Sequence, residues 1–358
     1  FVAGLVTVPL GVAGQQTARM APGMAVETYR FSAAGDVGLE SVTLFTTHFA
    51  AGTVAGPARL SVRGAWARGT VALPDGDAEL SGLVDTELRV DWDVLPDELT
   101  LTARGFLPTG VATLDPEQSV VASVLSSDLL PFRVSSLGTG GGVFLEGAAS
   151  HRFGGLGAGI SLGWGRSGEL EPLEGESVVY RPGSQWSARV ALDGELGPAV
   201  KGSVRLGFRR YGDDTMDGRN LFQPGNRLEG LVSVGFPTVR GGSAAVYAGL
   251  FHRENGTALL ETLADAPSQD LLLAGAVWRV ALGGTWIQPR ADARLFRSED
   301  GVGQGFQLGV GSSAEIEVGS EVTLVPVLIA RIGNVEVREG LSSGFTGAEL
   351  GVSVRFGR

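Results

Sequence analysis

The cleanest alternation of apolar and polar positions lies at the end of the chain. Thr346, Ala348, Leu350, Val352, Val354 and Phe356 share one face, and Gly347, Glu349, Gly351, Ser353 and Arg355 share the other. A period of two over about eleven residues predicts a β-strand with one apolar and one polar side, long enough to cross a bilayer when tilted. A lone strand of this kind leaves both edges unpaired, and in lipid only a closed barrel satisfies them. Alternating runs at 24–32, 39–50, 58–70, 77–94, 98–107, 140–153, 156–167, 185–195, 199–211, 227–236, 243–252, 271–281, 284–297, 303–318, 320–333 and 345–356 supply the remaining wall. They predict about sixteen strands; loss of one weak hairpin gives fourteen.

The connections alternate in length. Tight, Gly/Pro-rich links such as Leu95-Pro96-Asp97, Gly154-Gly155, Leu196-Gly197-Pro198 and Leu282-Gly283 follow the even strands. Long polar segments at 107–139, 167–184, 212–226, 253–270 and 334–344 follow odd ones. This asymmetry predicts an all-β, transmembrane, antiparallel up-and-down barrel with both termini on the short-turn, periplasmic side.

The polar phase of each strand is then the lumen. In 77–94, Ala78, Leu80, Gly82, Val84, Leu88, Val90 and Trp92 alternate with Glu79, Asp85, Glu87, Arg89, Asp91 and Asp93. In 199–211 the inward set includes Lys201, Arg205 and Arg209, and in 284–297 it includes Arg290, Asp292 and Arg294. Arg104, Arg189 and Arg279 take the same phase in their strands. An acidic wall from strand 4 facing a basic wall from strands 8 to 13 sets up a transverse field; alternatively, the charges pair with neighbours and fill a solvated interior. Trp92, Trp164, Trp186, Trp278 and Trp286 are expected on the lipid side near the strand ends, as an aromatic girdle.

The long third connection carries a helix signature. Asp115 is an N-cap residue, Pro116 suits the first helical position and Gln118 completes a capping box. Val120, Val121, Val124 and Leu125 are predicted to share a face, and the helix stops before Pro131. Thr109-Gly110 and Gly138 to Gly142 flank it as hinges. A loop inserted into the lumen would present Asp115, Glu117, Gln118 and Asp128 as its polar groups; a helix lying across the mouth is the other reading.

Composition narrows the function classes. Glycine, at 56 of 358 residues, is about twice ordinary usage and has no collagen-like period. There is no cysteine, which excludes disulfides and thiolate metal sites. A net charge of −11 argues against a nucleic-acid partner. After residue 15 no apolar run is long enough for a transmembrane helix. Residues 1–14 are apolar, with small residues at Val12 to Gly14, and read as the remainder of a secretory signal cleaved after Ala13 or Gly14. The barrel domain then spans 15–358. His48, His151 and His252 sit on separate strands without a recurring Ser or Asp partner, so no catalytic residue, cofactor site or metal site is expected. Glu169, Glu171, Glu174 and Glu176 are either a site for divalent cations bridging lipopolysaccharide or a solvated surface.

The ending of the chain, with Glu349, Gly351, Val354 and Phe356, resembles the C-terminal signal of bacterial outer-membrane β-barrels, although Gly357 and Arg358 follow the aromatic residue on which that signal usually stops. Segment 107–139 is similar in rank and length to the loop that general porins fold into their channel. More loosely, Leu107-Pro108-Thr109-Gly110 resembles turns in barrel transporters of aromatic or fatty compounds. The resemblance implies a Gram-negative outer-membrane channel for passive or selective diffusion of small solutes. Its implied partners are outer-membrane lipid, lipopolysaccharide and, through the last strand, the barrel-assembly machinery. A plugged barrel with a surface-binding or structural role, and an uptake channel for a hydrophobic compound, stay open.

Overall fold

Alternation along the chain becomes a closed ring in the computed structural model, which describes residues 19–32, 38–238, 241–260, 263–338 and 340–356. The segment 1–14 expected to be a signal remnant lies outside the described residues. The wall consists of β1 (Gly23–Phe31), β2 (Ser41–Ala55), β3 (Ala58–Leu73), β4 (Gly76–Leu83 and Thr86–Leu95), β5 (Leu99–Leu107), β6 (Gly142–Phe153), β7 (Leu156–Ser167) and β8 (Gln185–Gly197). It continues with β9 (Val200–Tyr211), β10 (Arg227–Pro237), β11 (Ser243–Arg253), β12 (Gln269–Leu282), β13 (Thr285–Ser298), β14 (Gly305–Glu317), β15 (Val322–Arg338) and β16 (Leu341–Phe356). Each strand pairs antiparallel with its neighbours in sequence, and β16 pairs with β1 to close the ring, Glu349 opposite Glu27. The sixteen-stranded count is thereby settled, and each strand overlaps its expected run.

One rim carries tight turns. Gly56, Gly154 and Gly283, together with Asp97 and Ala199, adopt positive φ there, the backbone that two-residue hairpin links require. The opposite rim carries the long connections. Four short strands from these, Tyr180–Arg181, Asp214–Met216, Arg219–Gln223 and Thr257–Ala258, pair into a separate small sheet. Asp214 organises it: its carboxylate accepts from the Tyr180 hydroxyl at 2.6 Å and from the Gly183 amide at 2.7 Å. The segment after β5 joins the same layer, because Leu114 bridges to Leu173.

Between β5 and β6 runs helix α1 (Pro116–Leu125). The Asp115 carboxylate accepts from the Gln118 amide at 2.8 Å and the Gln118 side chain accepts from the Asp115 amide at 3.2 Å, the reciprocal cap expected from the sequence. Val121 and Leu125 are fully buried; Val120, expected on the same face, is 38% exposed. The two buried side chains lie over Gly69 of β3, where a Cβ would come within 2.9 Å of Val121. Glycine here lets the helix approach the wall.

A hydrophobic core occupies the loop-filled side of the ring at this level. Leu129, Leu130, Phe132 and Leu137 of the loop pack with Tyr29, Val42, Leu44, Ala67, Val71, Ala78 and Leu80, and with Leu271, Phe296 and Phe345. Each such fully buried Leu or Phe contributes about 1.5–3 kcal/mol relative to exposure. The exterior is apolar as well: Leu101, Leu145, Ile160, Leu162, Val190, Leu206, Val310, Leu328 and Leu350 are all more than two-fifths exposed.

Candidate pore lumen

The third long connection fixes which face of the wall is inside. The backbone amide of Arg133 donates to Glu27 of β1 at 2.9 Å, and its guanidinium bonds Glu349 of β16. Starting from β5, this segment reaches the strands on the other side of the ring closure only by crossing its interior. Residues in register with Glu27 and Glu349 therefore point inward, and alternation assigns the remainder strand by strand.

On that basis Glu87, Arg89, Asp91, Asp93, Arg104, Arg189, Lys201, Arg205, Arg209, Arg279, Arg290, Asp292 and Arg294 face the interior. Glu79 does not. Arg68 of β3 pairs with Ser81, but Arg63 pairs with Glu87, so β4 carries one extra residue between its two segments. This bulge exchanges the two faces. Below it Leu88, Val90 and Trp92 point out; above it Ala78, Leu80 and Gly82 point in, toward the loop core. Glu79 consequently lies on the outer face, paired with Arg68 at 2.6 Å.

Asp85 sits in the bulge with a different task. Its carboxylate accepts from the Gly110 amide at 3.0 Å and from the Thr139 amide and hydroxyl, both at 2.8 Å. Both hinge regions of the loop are thus fastened to one side chain on the wall.

The acidic wall expected from β4 is neutralised where it stands. Arg59 of β3 pairs with Asp93 at 3.0 Å, Arg89 pairs with Asp91 at 2.8 Å, and Arg63 lies opposite Glu87. Thr100 and Thr102 donate to Asp93 and Asp91. Elsewhere around the ring, Arg189 pairs with Glu146 at 2.7 Å and Arg279 with Glu315 at 3.0 Å. Neighbouring pairs, rather than two opposed single-sign walls, dominate these strands.

Two faces of the lumen differ in accessibility. Behind the loop, Glu27, Tyr29, Thr46, Gln307, Arg331 and Glu349 are at most 5% exposed. Glu27 and Glu349, opposite one another, are held by Arg133 and by Arg331, whose guanidinium lies 2.6 Å from Glu349. On β6 to β9 the charged side chains keep contact with solvent: Arg189 is 40% and Glu146 18% exposed, and Lys201 and Arg205 are exposed. The inward positions of β7 are Gly157, Gly159, Ser161, Gly163 and Gly165; β7 itself adds no bulky side chain there, and the Phe144 ring of β6 covers Gly163 and Gly165.

Trp92, Trp164, Trp186 and Trp278 are on the outer face, Trp164 and Trp186 directly paired with ring centroids 6.5 Å apart. Trp286 is the exception. It pairs with Ala281, in phase with Arg279, and lies inside beneath the Arg279 guanidinium, 4.3 Å from ring centre to cation. Its expected place in an external girdle is corrected accordingly. Of the histidines, His48 faces inward beside Gly23, whereas His151 and His252 face outward, His252 bonded to Asp270 at 2.8 Å.

Arg227 and Arg253 are among the inward arginines not expected from the sequence. Arg227 opens β10 and Arg253 ends β11, and register places them beside Arg209. Asp128 of the loop stands among these cations, and burial raises its carboxyl above the ordinary carboxylate range against the pull of Arg227 and Arg253.

No protein-family model matches the chain, and no curated protein matches it. Among solved structures, an anion-selective porin from Comamonas acidovorans is similar at 13% identity, covering 95% of this chain and 99% of that one, with a TM-score of 0.42. Outer-membrane expressed OmpT of Vibrio cholerae is similar at 10% identity over 97% and 99% of the two chains, with a TM-score of 0.45. An outer membrane channel from Pseudomonas putida F1 is similar at 10% identity over 98% and 100%, with a TM-score of 0.38. The chain is a closed sixteen-stranded antiparallel β-barrel, and its structural neighbours are bacterial outer-membrane porins and channels.

Proposed function

We propose that this chain is an integral bacterial outer-membrane channel through which small solutes diffuse along the side of the lumen left beside the inserted loop. The observation that carries the reading is the unequal accessibility of the interior: side chains of β1, β2, β15 and β16 are sealed behind residues 108–141, whereas charged groups of β6 to β9 remain solvated around a glycine- and serine-faced β7. The exposed apolar exterior supports insertion in lipid, where a closed ring leaves no backbone group unpaired. With the tight turns toward the periplasm, the long connections and their small sheet face the cell exterior.

A second reading, a closed barrel with a surface role, draws on that small sheet of loop strands above the long-loop rim. Conductance in planar bilayers separates the two. The channel reading predicts steady single-channel steps from the folded chain that grow when residues 112–132 are deleted. Silence from both proteins leaves the closed barrel.

A further inference from the structure

At the long-loop rim, three arginines stand side by side. Arg209 of β9 lies directly opposite Arg227 of β10, which lies directly opposite Arg253 of β11, and all three point inward. Adjacent strands are about 4.8 Å apart, so the three cations share one level of the wall. Like charges directly opposed across strands destabilise a sheet, and the fold gains nothing from choosing them here. The choice is more pointed in a chain whose net charge is −11.

For Arg209 and Arg253 the surroundings compensate only in part. Arg209 reaches Glu229 at 3.4 Å and the Tyr211 hydroxyl at 3.3 Å, and the Arg227 guanidinium lies 5.7 Å from the Tyr211 ring centre. Among the described residues Arg253 takes part in no ion pair within 4 Å; Asp128 of the loop and Asp214 are the carboxylates whose charge acts on it. Asp214 is already engaged with Tyr180 and Gly183 in the small loop sheet. Above the row, that sheet joins the connections that follow β9 and β11.

We propose that Arg209, Arg227 and Arg253 form an anion-binding site at the mouth of the lumen that selects small carboxylate- or phosphate-bearing solutes, an inference that rests on the channel reading. Planar guanidinium forks match the geometry of oxyanions, and a concave wall of one sign raises the local concentration of the opposite ion. Asp128 acts as the resident counter-charge that an arriving anion outcompetes.

The test is ion selectivity of the full chain in bilayers, read as the reversal potential under a KCl gradient, together with block of the chloride current by inorganic phosphate or succinate. The wild type is expected to favour chloride and to be blocked from the long-loop side. Arg209→Gln and Arg253→Gln should each lower the chloride preference about fourfold, the Boltzmann factor for one unit charge about 5 Å away in a water-like dielectric. Arg253→Lys keeps the charge without the fork, so it should retain chloride preference and lose block. Stronger block by phosphate than by succinate, or the reverse, assigns the solute class. Glutamine variants that conduct with unchanged reversal potential and unchanged block overturn the site while leaving the channel intact. If no form conducts, the channel reading fails, and calorimetric titration of the folded proteins with phosphate decides the site: binding lost in Arg253→Gln supports it, and absent or equal binding overturns it.

Discussion

Replacing Arg133 by methionine isolates the contact that holds the loop across the barrel seam. Arg133 is the loop residue that bonds Glu349, whose carboxylate is 4% exposed and directly opposite the equally buried Glu27. Methionine retains the bulk of the stem and removes the cation. Breaking a buried pair by deleting one partner costs about 3–5 kcal/mol. Two features reduce this: Arg133 is 35% exposed, and Arg331 remains 2.6 Å from Glu349. A loss of about 2 kcal/mol is therefore expected, measured as a lower urea midpoint for barrels refolded in liposomes. Neutralising Glu27, whose carboxylate faces Glu349, should recover part of it and leave the Arg331–Glu349 pair intact, so Arg133→Met/Glu27→Gln should be more stable than Arg133→Met alone. Looser seating of the loop should also add flicker to the single-channel current. A midpoint and current noise equal to wild type, or no recovery in the double variant, would refute the reasoning.

Three further outcomes follow from the same geometry. Asp85→Ala removes the acceptor that fastens Gly110 and Thr139, and should speed proteolysis within 108–141 while leaving the wall resistant; charged hydrogen bonds of this kind contribute about 1.5–3 kcal/mol each. Because the Asp128 carboxyl is raised, it takes up a proton as pH falls through a window above the ordinary carboxylate range; anion preference should rise across that window, and Asp128→Asn should hold the high value at every pH. In variants retaining a single tryptophan, Trp286 should be quenched by aqueous acrylamide and Trp186 by brominated lipid; the opposite pattern would return Trp286 to the exterior.

The ring itself is legible because the outer face must be apolar where it meets lipid, which imposes a period of two on every strand. β16 shows it best, with Leu350, Val352, Val354 and Phe356 outward and Glu349 inward. The cap of α1 is local chemistry and is equally readable. What misleads is β4. Apart from Thr86 its even-numbered residues are apolar, and nothing in the pattern reveals that the upper ones meet the loop core while the lower ones meet the exterior; both surroundings are apolar, so a one-residue bulge leaves little trace. Trp286 shares the even phase of Arg290, Asp292 and Arg294, so its inward place is legible in the alternation; aromatic character near a strand end, which suggests a girdle, is the wrong guide there. Arg227 and Arg253 occupy strand ends, and Ala244-Ala245-Val246-Tyr247-Ala248-Gly249, in the strand that Arg253 ends, has no charged residue on either face to mark the polar side. The contact of Arg133 with Glu27 and Glu349, across more than a hundred residues of sequence, arises from closure and has no local signature.

Unequal access to the two sides of the interior is the claim on which the channel rests, and the absence of cysteine makes it directly measurable. Single cysteines at Ser161, half-exposed on the inward face of β7, and at Thr46, 1% exposed behind the loop, are compared by adding a charged, water-soluble thiol reagent during single-channel recording. The account predicts stepwise loss of current for Ser161→Cys and none for Thr46→Cys. Equal modification of both, or modification of Thr46→Cys alone, would place the open path elsewhere and contradict it.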